Sequence, residues 1–364
     1  MANFIPKVVA LLAATALIGC GGDGSPFLVD ETQTLDQEDP NTNNQRFLFD
    51  PDNKLTMNSV EYDETTDQLI INNLPFDGPD GEYDFQRTQG GAGVYASQMT
   101  PTTGQIQHYA VYLSTDNIEA TAAGGRDWID FGFTGAHLSR ETYALPGGVG
   151  EYIYLGDYAG IRTFDDRGGL QITSGNAELL LDILDFDNNG VVEGAIVGTV
   201  GPRTRTDSDG TPLATLPSIS LATVSFDPAT GIFVEGGVTT PTPDGEVRDA
   251  GTYEGVIAGS GGEDIGVMLV MTGSAEVQEI VFQVIEWEDP ATGERGVVSG
   301  LNNDNRETIQ FFVDSGQQVN FLTADTSEIP MGATTTVTID TEILTSDFNA
   351  QELGVVIASQ VPTP

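Results

Sequence analysis

The sequence predicts an all-β protein in two parts, an N-terminal β-rich region followed by a small antiparallel β-barrel. Three observations carry this. Glycine supplies 44 of 364 residues and hydrophobic residues 39%, and a glycine share well above the roughly 7% average suits many turns around modest cores. From Arg46 onward the apolar residues fall in short alternating runs bounded by turn residues, with no stripe of helical period longer than two turns. Finally, aromatic and glycine residues alternate along one segment: Tyr152, Tyr154, Gly156, Tyr158 and Gly160 share one face, while Ile153, Leu155, Ala159 and Ile161 share the other. That alternation lets a tightly curved sheet pass its backbone close to a packed ring.

In chain order, Lys7 precedes an apolar run from Val8 to Ile18, too short to span a bilayer and of the length of a signal-peptide core. The run ends in Leu17-Ile18-Gly19-Cys20, which resembles the bacterial lipobox; an ordinary secretory signal with an incidental cysteine is the alternative. The resemblance implies that residues 1–19 are a lipoprotein signal peptide and that Cys20, the single cysteine of the chain, is the acylated first residue of the mature protein. Two or three acyl chains anchor stably where one does not, so the implied partner is a membrane reached through the lipid. Gly21 follows Cys20 in place of the Asp that in this class commonly retains the product at the inner membrane. The implied destination is the bacterial outer membrane.

Residues 20–46 read as a flexible acidic linker, since they hold Gly, Asp, Glu, Asn, Gln, Thr and Pro with scarcely any apolar periodicity. As a coil, a stretch of that length averages about 28 Å end to end. Residues 47–145 form the expected N-terminal β-rich domain, with strands at Gln68 to Asn72, Gln107 to Tyr112 and Asp127 to Phe133. Pro146-Gly147-Gly148-Val149-Gly150 marks the boundary to a barrel over 146–288. Within it, Glu178 to Asp187 and Val191 to Val200 flank an Asn-Gly hairpin signal at Asn189-Gly190. Ser218 to Phe226 and Ile232 to Gly237 flank Asp227-Pro228-Ala229-Thr230-Gly231, a pentapeptide that recurs as Asp289-Pro290-Ala291-Thr292-Gly293. Proline inside such a turn and glycine at its end fit a type I turn closed by a left-handed residue. Residues 289–364 supply additional strands that complete the barrel in one of the two closures considered below.

Gly251-Thr252-Tyr253-Glu254-Gly255 followed by Glu263-Asp264-Ile265-Gly266-Val267 resembles the last hairpin of the transferrin-binding protein B type barrel. A second candidate for the closing motif is Ala350-Gln351-Glu352-Leu353-Gly354-Val355-Val356. The resemblance implies a surface lipoprotein whose β-rich N-terminal handle domain, 47–145, precedes a small antiparallel β-barrel of about eight strands, and which captures a protein or solute ligand without catalysis, through loops at the rims of handle and barrel, such as 77–80 and 204–209. The chain departs from that family in lacking a lysine-rich lobe, because Lys54 is the one lysine outside the signal segment.

Charge and chemistry narrow the function classes further. With 13 Lys+Arg against 55 Asp+Glu the formal charge is -42, which repels phosphate backbones and argues against nucleic acid as a partner. The same surface fits a salt-adapted protein, or an acidic face that captures cations or a basic partner. One cysteine permits no internal disulfide or thiolate cluster, and no nucleophile elbow, phosphate loop or His-Glu-x-x-His occurs. His108, placed in a strand, and His137, placed in a loop, read as structural, and an enzyme is not expected. For a cofactor the expectation is none, with Ca²⁺ as the exception to weigh. Asp185, Asp187 and Asn189, with Glu193 further on, match several ligand positions of a Ca²⁺ loop, although Ile196 stands where the bidentate glutamate belongs and a plain hairpin fits as well. Asn302 to Asn305 is a second polar turn of the same kind. Tyr95, Tyr109, Tyr112, Tyr152, Tyr154 and Tyr158 at strand spacing read as packing residues, with a binding platform or metal phenolates as the alternative. The ligand-binding residues are unknown at this level. The competing function is a structural or adhesive acidic envelope lipoprotein that binds Ca²⁺.

Overall fold

The computed structural model describes residues 28–29, 45–49, 57, 59–72, 74, 81–98, 106–125, 130–165, 167–184 and 193–362. Strands β1 (Leu28–Val29), β2 (Gln45–Phe49), β3 (Ser59–Asp63), β4 (Gln68–Asn72), β5 (Glu82–Gln89), β6 (Ala92–Ser97), β7 (His108–Ser114), β8 (Ile118–Gly125) and β9 (Thr134–Arg140) form one antiparallel sheet. Its order is β1-β2-β9-β8-β7-β6-β5-β4-β3. The seven strands β3 to β9 are a meander that curls until it is nearly closed. Alternation along the strands buries Leu69, Ile71, Tyr83, Tyr95, Ala110 and Tyr112 in one core and Val94, Val111, Leu113, Ala120, Ala136 and Leu138 in another.

The second sheet closes on itself. Its strands are β10 (Gly150–Phe164), β11 (Arg167–Leu184), β12 (Glu193–Val200), β14 (Ile219–Asp227), β15 (Ile232–Pro241), β16 (Val247–Ala258), β17 (Asp264–Ser274) and β21 (Asn349–Gln360), with the short β13 (Thr204–Asp207) paired to the start of β11. Because β10 pairs with both β11 and β21, these eight strands make a closed antiparallel barrel. Tyr154 and Tyr158 point into it, where they pack with Leu179, Ile196, Phe233 and Tyr253. The Tyr158 ring lies over Gly354 of the neighbouring strand, and a Cβ there would fall inside the ring's van der Waals envelope. On the opposite face, Ala159, Ile161, Val256, Met268, Leu353 and Val355 pack against the meander, so one continuous core joins the two sheets.

Between β17 and β21 the chain leaves the barrel for a three-stranded sheet of β18 (Val277–Glu288), β19 (Arg295–Ser299) and β20 (Thr334–Thr345), in the order β19-β18-β20, and a helix α1 (Arg306–Asp314). Ile309 and Val313, one turn apart on α1, pack with Ile280, Phe282 and Leu344.

Several sequence expectations are met at their residues and others are corrected. Gln68 to Asn72 is β4, and both Asp-Pro-Ala-Thr-Gly segments fold alike. In each, the aspartate accepts a backbone hydrogen bond two residues on (2.9 Å at Asp227, 2.8 Å at Asp289) and the closing glycine is left-handed, with φ of +68° and +75°. Seven barrel strands come from 146–288, but β18 does not belong to the barrel; the eighth strand lies at 349–360, so the second closing motif is the one that seals the wall. The strand expected at Asp127 to Phe133 is a turn over its described residues 130–133, and β9 starts after it. His137 sits in β9, not in a loop. The expected linker contains β1, paired with β2. Asn302 to Asn305 leads into α1, with Asn302 Oδ1 accepting the amides of Asp304 (3.0 Å) and Asn305 (3.2 Å), which accounts for its polar composition.

Candidate functional site: a tyrosine cleft between the sheets

In a meander the β3–β4, β5–β6 and β7–β8 turns fall at the same end. There the mouth of the curled sheet abuts the barrel wall, and a cavity of about 410 Å³ lies between Tyr62, Tyr95 and Tyr112 on one side and Leu155, Asp157 and Ile357 on the other. That size is within the range of small-molecule sites. Tyr95 of β6 and Tyr112 of β7 are directed inward by strand alternation, and Tyr62 comes from the end of β3. Tyr62 stacks on Tyr112 with centroids 4.9 Å apart and planes at 29°, while Tyr95 stands at 85° to Tyr112 with centroids 6.4 Å apart. Both the Tyr62 and Tyr95 phenols donate to Asp67 Oδ1, at 3.2 and 2.9 Å.

Electrostatics fix the protonation of this wall. Burial, and then the hydrogen bond to Asp67, push the Tyr95 and Tyr62 phenols above their ordinary value; burial and the Glu119 charge do the same to Tyr112. The rings stay neutral phenols, which disfavours phenolate metal ligation. Opposite them, the Asp157 carboxylate is half-buried and has neither a hydrogen-bond nor an ion-pair partner among the described residues. Burial raises its pKa. Gly91 at the tip of the β5–β6 hairpin has φ +82°, and a side chain there would occupy the space of that carboxylate. Among the described residues no lysine or arginine lines the cavity.

The other sequence-derived residues are distributed elsewhere. Tyr154 and Tyr158 are barrel core and Tyr109 is part of the joint core. Tyr152 packs beside the barrel core. His108 and His137 are both buried in strands. Asp185, Asp187 and Asn189 lie outside the described residues, and Glu193 is exposed at the start of β12. Among the described residues no group of three or more His, Cys, Asp or Glu is placed to hold a metal ion. The tip at 77–80 and Cys20 are likewise outside the described residues. The tip expected at 204–209 is corrected: Arg205 there is buried in a bidentate pair with Glu276 (2.6 and 2.8 Å).

Charged side chains fill one end of the barrel. Glu352 of β21 pairs with Arg203 (2.7 Å) and faces Arg162 (3.7 Å), and it accepts hydrogen bonds from Tyr158 (2.7 Å) and Thr173 (2.8 Å). Arg162 and Glu352 occupy interior positions of β10 and β21, whose alternation is otherwise apolar, while Arg203 lies between β12 and β13. A charged residue out of pattern was the sequence signal for them. For the cleft there was a weaker one, the tyrosines of β6 and β7; Tyr62 and Asp157 were not distinguishable.

No family model and no curated protein matches the chain. Among solved structures, it is similar to a protein of unknown function of the DUF3598 family from Nostoc punctiforme, at 10% identity over 89% of this chain and 92% of that one, with a TM-score of 0.19. A score that low does not establish a shared fold.

Proposed function

We propose that this chain is a noncatalytic binding lipoprotein, tethered to the bacterial outer membrane through acylated Cys20, displayed at the cell surface, and taking its ligand into the tyrosine cleft. The observation that carries the reading is the cleft: a cavity of about 410 Å³ whose wall carries a half-buried carboxylate with no hydrogen-bond or ion-pair partner among the described residues. A half-buried charge in a cavity that serves no fold contact among the described residues is a reason to look for a ligand. The lipobox at 17–20 and the acidic linker after it support the anchoring. A barrel interior occupied by aromatic and charged side chains supports a ligand bound outside the barrel instead of within it.

Metabolic labelling with palmitate and external proteolysis of intact cells test the anchoring and display. Label incorporated by the wild type and lost in Cys20→Ser, with digestion of the mature chain while a periplasmic control survives, is the expected result. Full protection from the protease would remove surface capture and favour a role facing the periplasm. The competing adhesive reading, which uses Ca²⁺ at Asp185, Asp187, Asn189 and Glu193, requires a rise in melting temperature with millimolar Ca²⁺ that Asp187→Ala abolishes.

A further inference from the structure

We infer that the cleft binds a small organic cation, an ammonium group held against Tyr62, Tyr95 and Tyr112 by the Asp157 carboxylate. This deepens the binding reading above and rests on it. Four features of the same cavity point to positive charge. Its wall presents three clustered tyrosine rings, and the faces of such rings attract cations through their quadrupole. Its opposite wall carries a carboxylate that burial has partly stripped of water and that no donor among the described residues compensates.

The third feature is Asp67. By accepting both the Tyr62 and the Tyr95 hydroxyl hydrogens it leaves those two phenol oxygens as acceptors for an N–H donor. The fourth is that, among the described residues, no competing cation lines the cavity, where Ser114, Thr115 and Ser359 are the other polar side chains. In a chain whose basic residues number 13 against 55 acids, four arginines are sequestered at the barrel end as buried side chains, namely Arg162, Arg203, Arg205 and Arg248, and none is spent on Asp157. An anion would meet carboxylate and ring faces. A neutral solute would leave the carboxylate uncompensated. A cation with alkyl substituents satisfies the carboxylate, the rings and the Leu155 and Ile357 side chains together.

Titration calorimetry of the full chain tests this with three probes: choline, putrescine, and 3,3-dimethyl-1-butanol, the neutral isostere of choline. Choline or putrescine binding at least tenfold more tightly than the isostere, and weakened at least tenfold by Asp157→Asn and by Tyr62→Leu, is the expected result. Choline preferred over putrescine identifies a methylated ammonium held chiefly by the rings; the reverse identifies a primary amine held chiefly by hydrogen bonds. Both variants alter half-buried positions, and an unchanged far-ultraviolet spectrum and melting transition show that they fold. If the isostere binds as tightly as choline, or if Asp157→Asn has no effect, the cation inference is overturned while a binding cleft stands. If none of the probes binds, the inference is overturned, and the lipoprotein reading is decided separately by palmitate labelling and proteolysis.

Discussion

Glu352 and Glu254 are both buried carboxylates of the barrel wall, and their surroundings treat them in opposite ways. Glu352 points inward, and although burial alone would raise its pKa, Arg203 and Arg162 beside it hold it below the usual carboxylate range. Removing one partner of a buried pair leaves its charges uncompensated, so Glu352→Gln is expected to cost about 3–5 kcal/mol in urea denaturation at pH 7. Its contribution is complete above the unfolded glutamate value of about 4.3 and is lost as pH falls through its depressed folded value. Glu254, opposite Met268 on the outer face, has no partner at hydrogen-bond geometry for either oxygen among the described residues. Burial pushes it up to about 7, and the approach of the Glu235 backbone amide offsets only part of that. The folded chain therefore binds a proton that the unfolded chain releases between about pH 4.3 and 7, and stability falls across that interval by at most about 1.4 kcal/mol per pH unit. Glu254→Gln is expected to remove this slope and to stabilise the protein at pH 7. An unchanged slope in denaturation midpoints from pH 4.5 to 7.5 would show that the burial of Glu254 costs nothing.

Elements differ in how far the sequence announces them, and the difference follows contact distance along the chain. The β14–β15 and β18–β19 hairpins were legible because an Asp-Pro-Ala-Thr-Gly turn carries its own hydrogen bonds and its own left-handed glycine. The strand β10 was legible because aromatic and glycine residues alternate within it. Its pairing with β21 was legible only as one of two possible closures, since Gly160 meets Gly354 across nearly two hundred residues and the sheet of β18 to β20 intervenes. The helix α1 was not legible, because its buried face is only Ile309 and Val313. The cleft draws on β3, β6, β7, β10 and β21, so no local pattern could assemble it, though two of its tyrosines were singled out for their spacing. The seam itself is testable at Gly354. Alanine there must displace the Tyr158 ring from a packed interior, and overpacking of this kind costs about 1–3 kcal/mol. A wild-type melting curve for Gly354→Ala would contradict the described β10–β21 contact.

At the scale of the whole molecule, a continuous apolar core unites the meander and the barrel wall, while a net charge of -42 works against compactness. Self-repulsion is screened as the Debye length shrinks from about 10 Å at 0.1 M salt to about 3 Å at 1 M. The melting temperature is accordingly expected to rise between those concentrations; a fall would mean that attractive charge pairs dominate. The same shared core holds the cleft's two walls in place, which belong to different sheets. Hydrogen–deuterium exchange of the full chain with and without saturating choline therefore tests the central claim most directly. The account expects slowed exchange concentrated at residues 91–95, 112–115, 155–157 and 357–359, on both sheets at once. Protection confined to one sheet, or appearing instead around Trp287 on the three-stranded sheet, would contradict it.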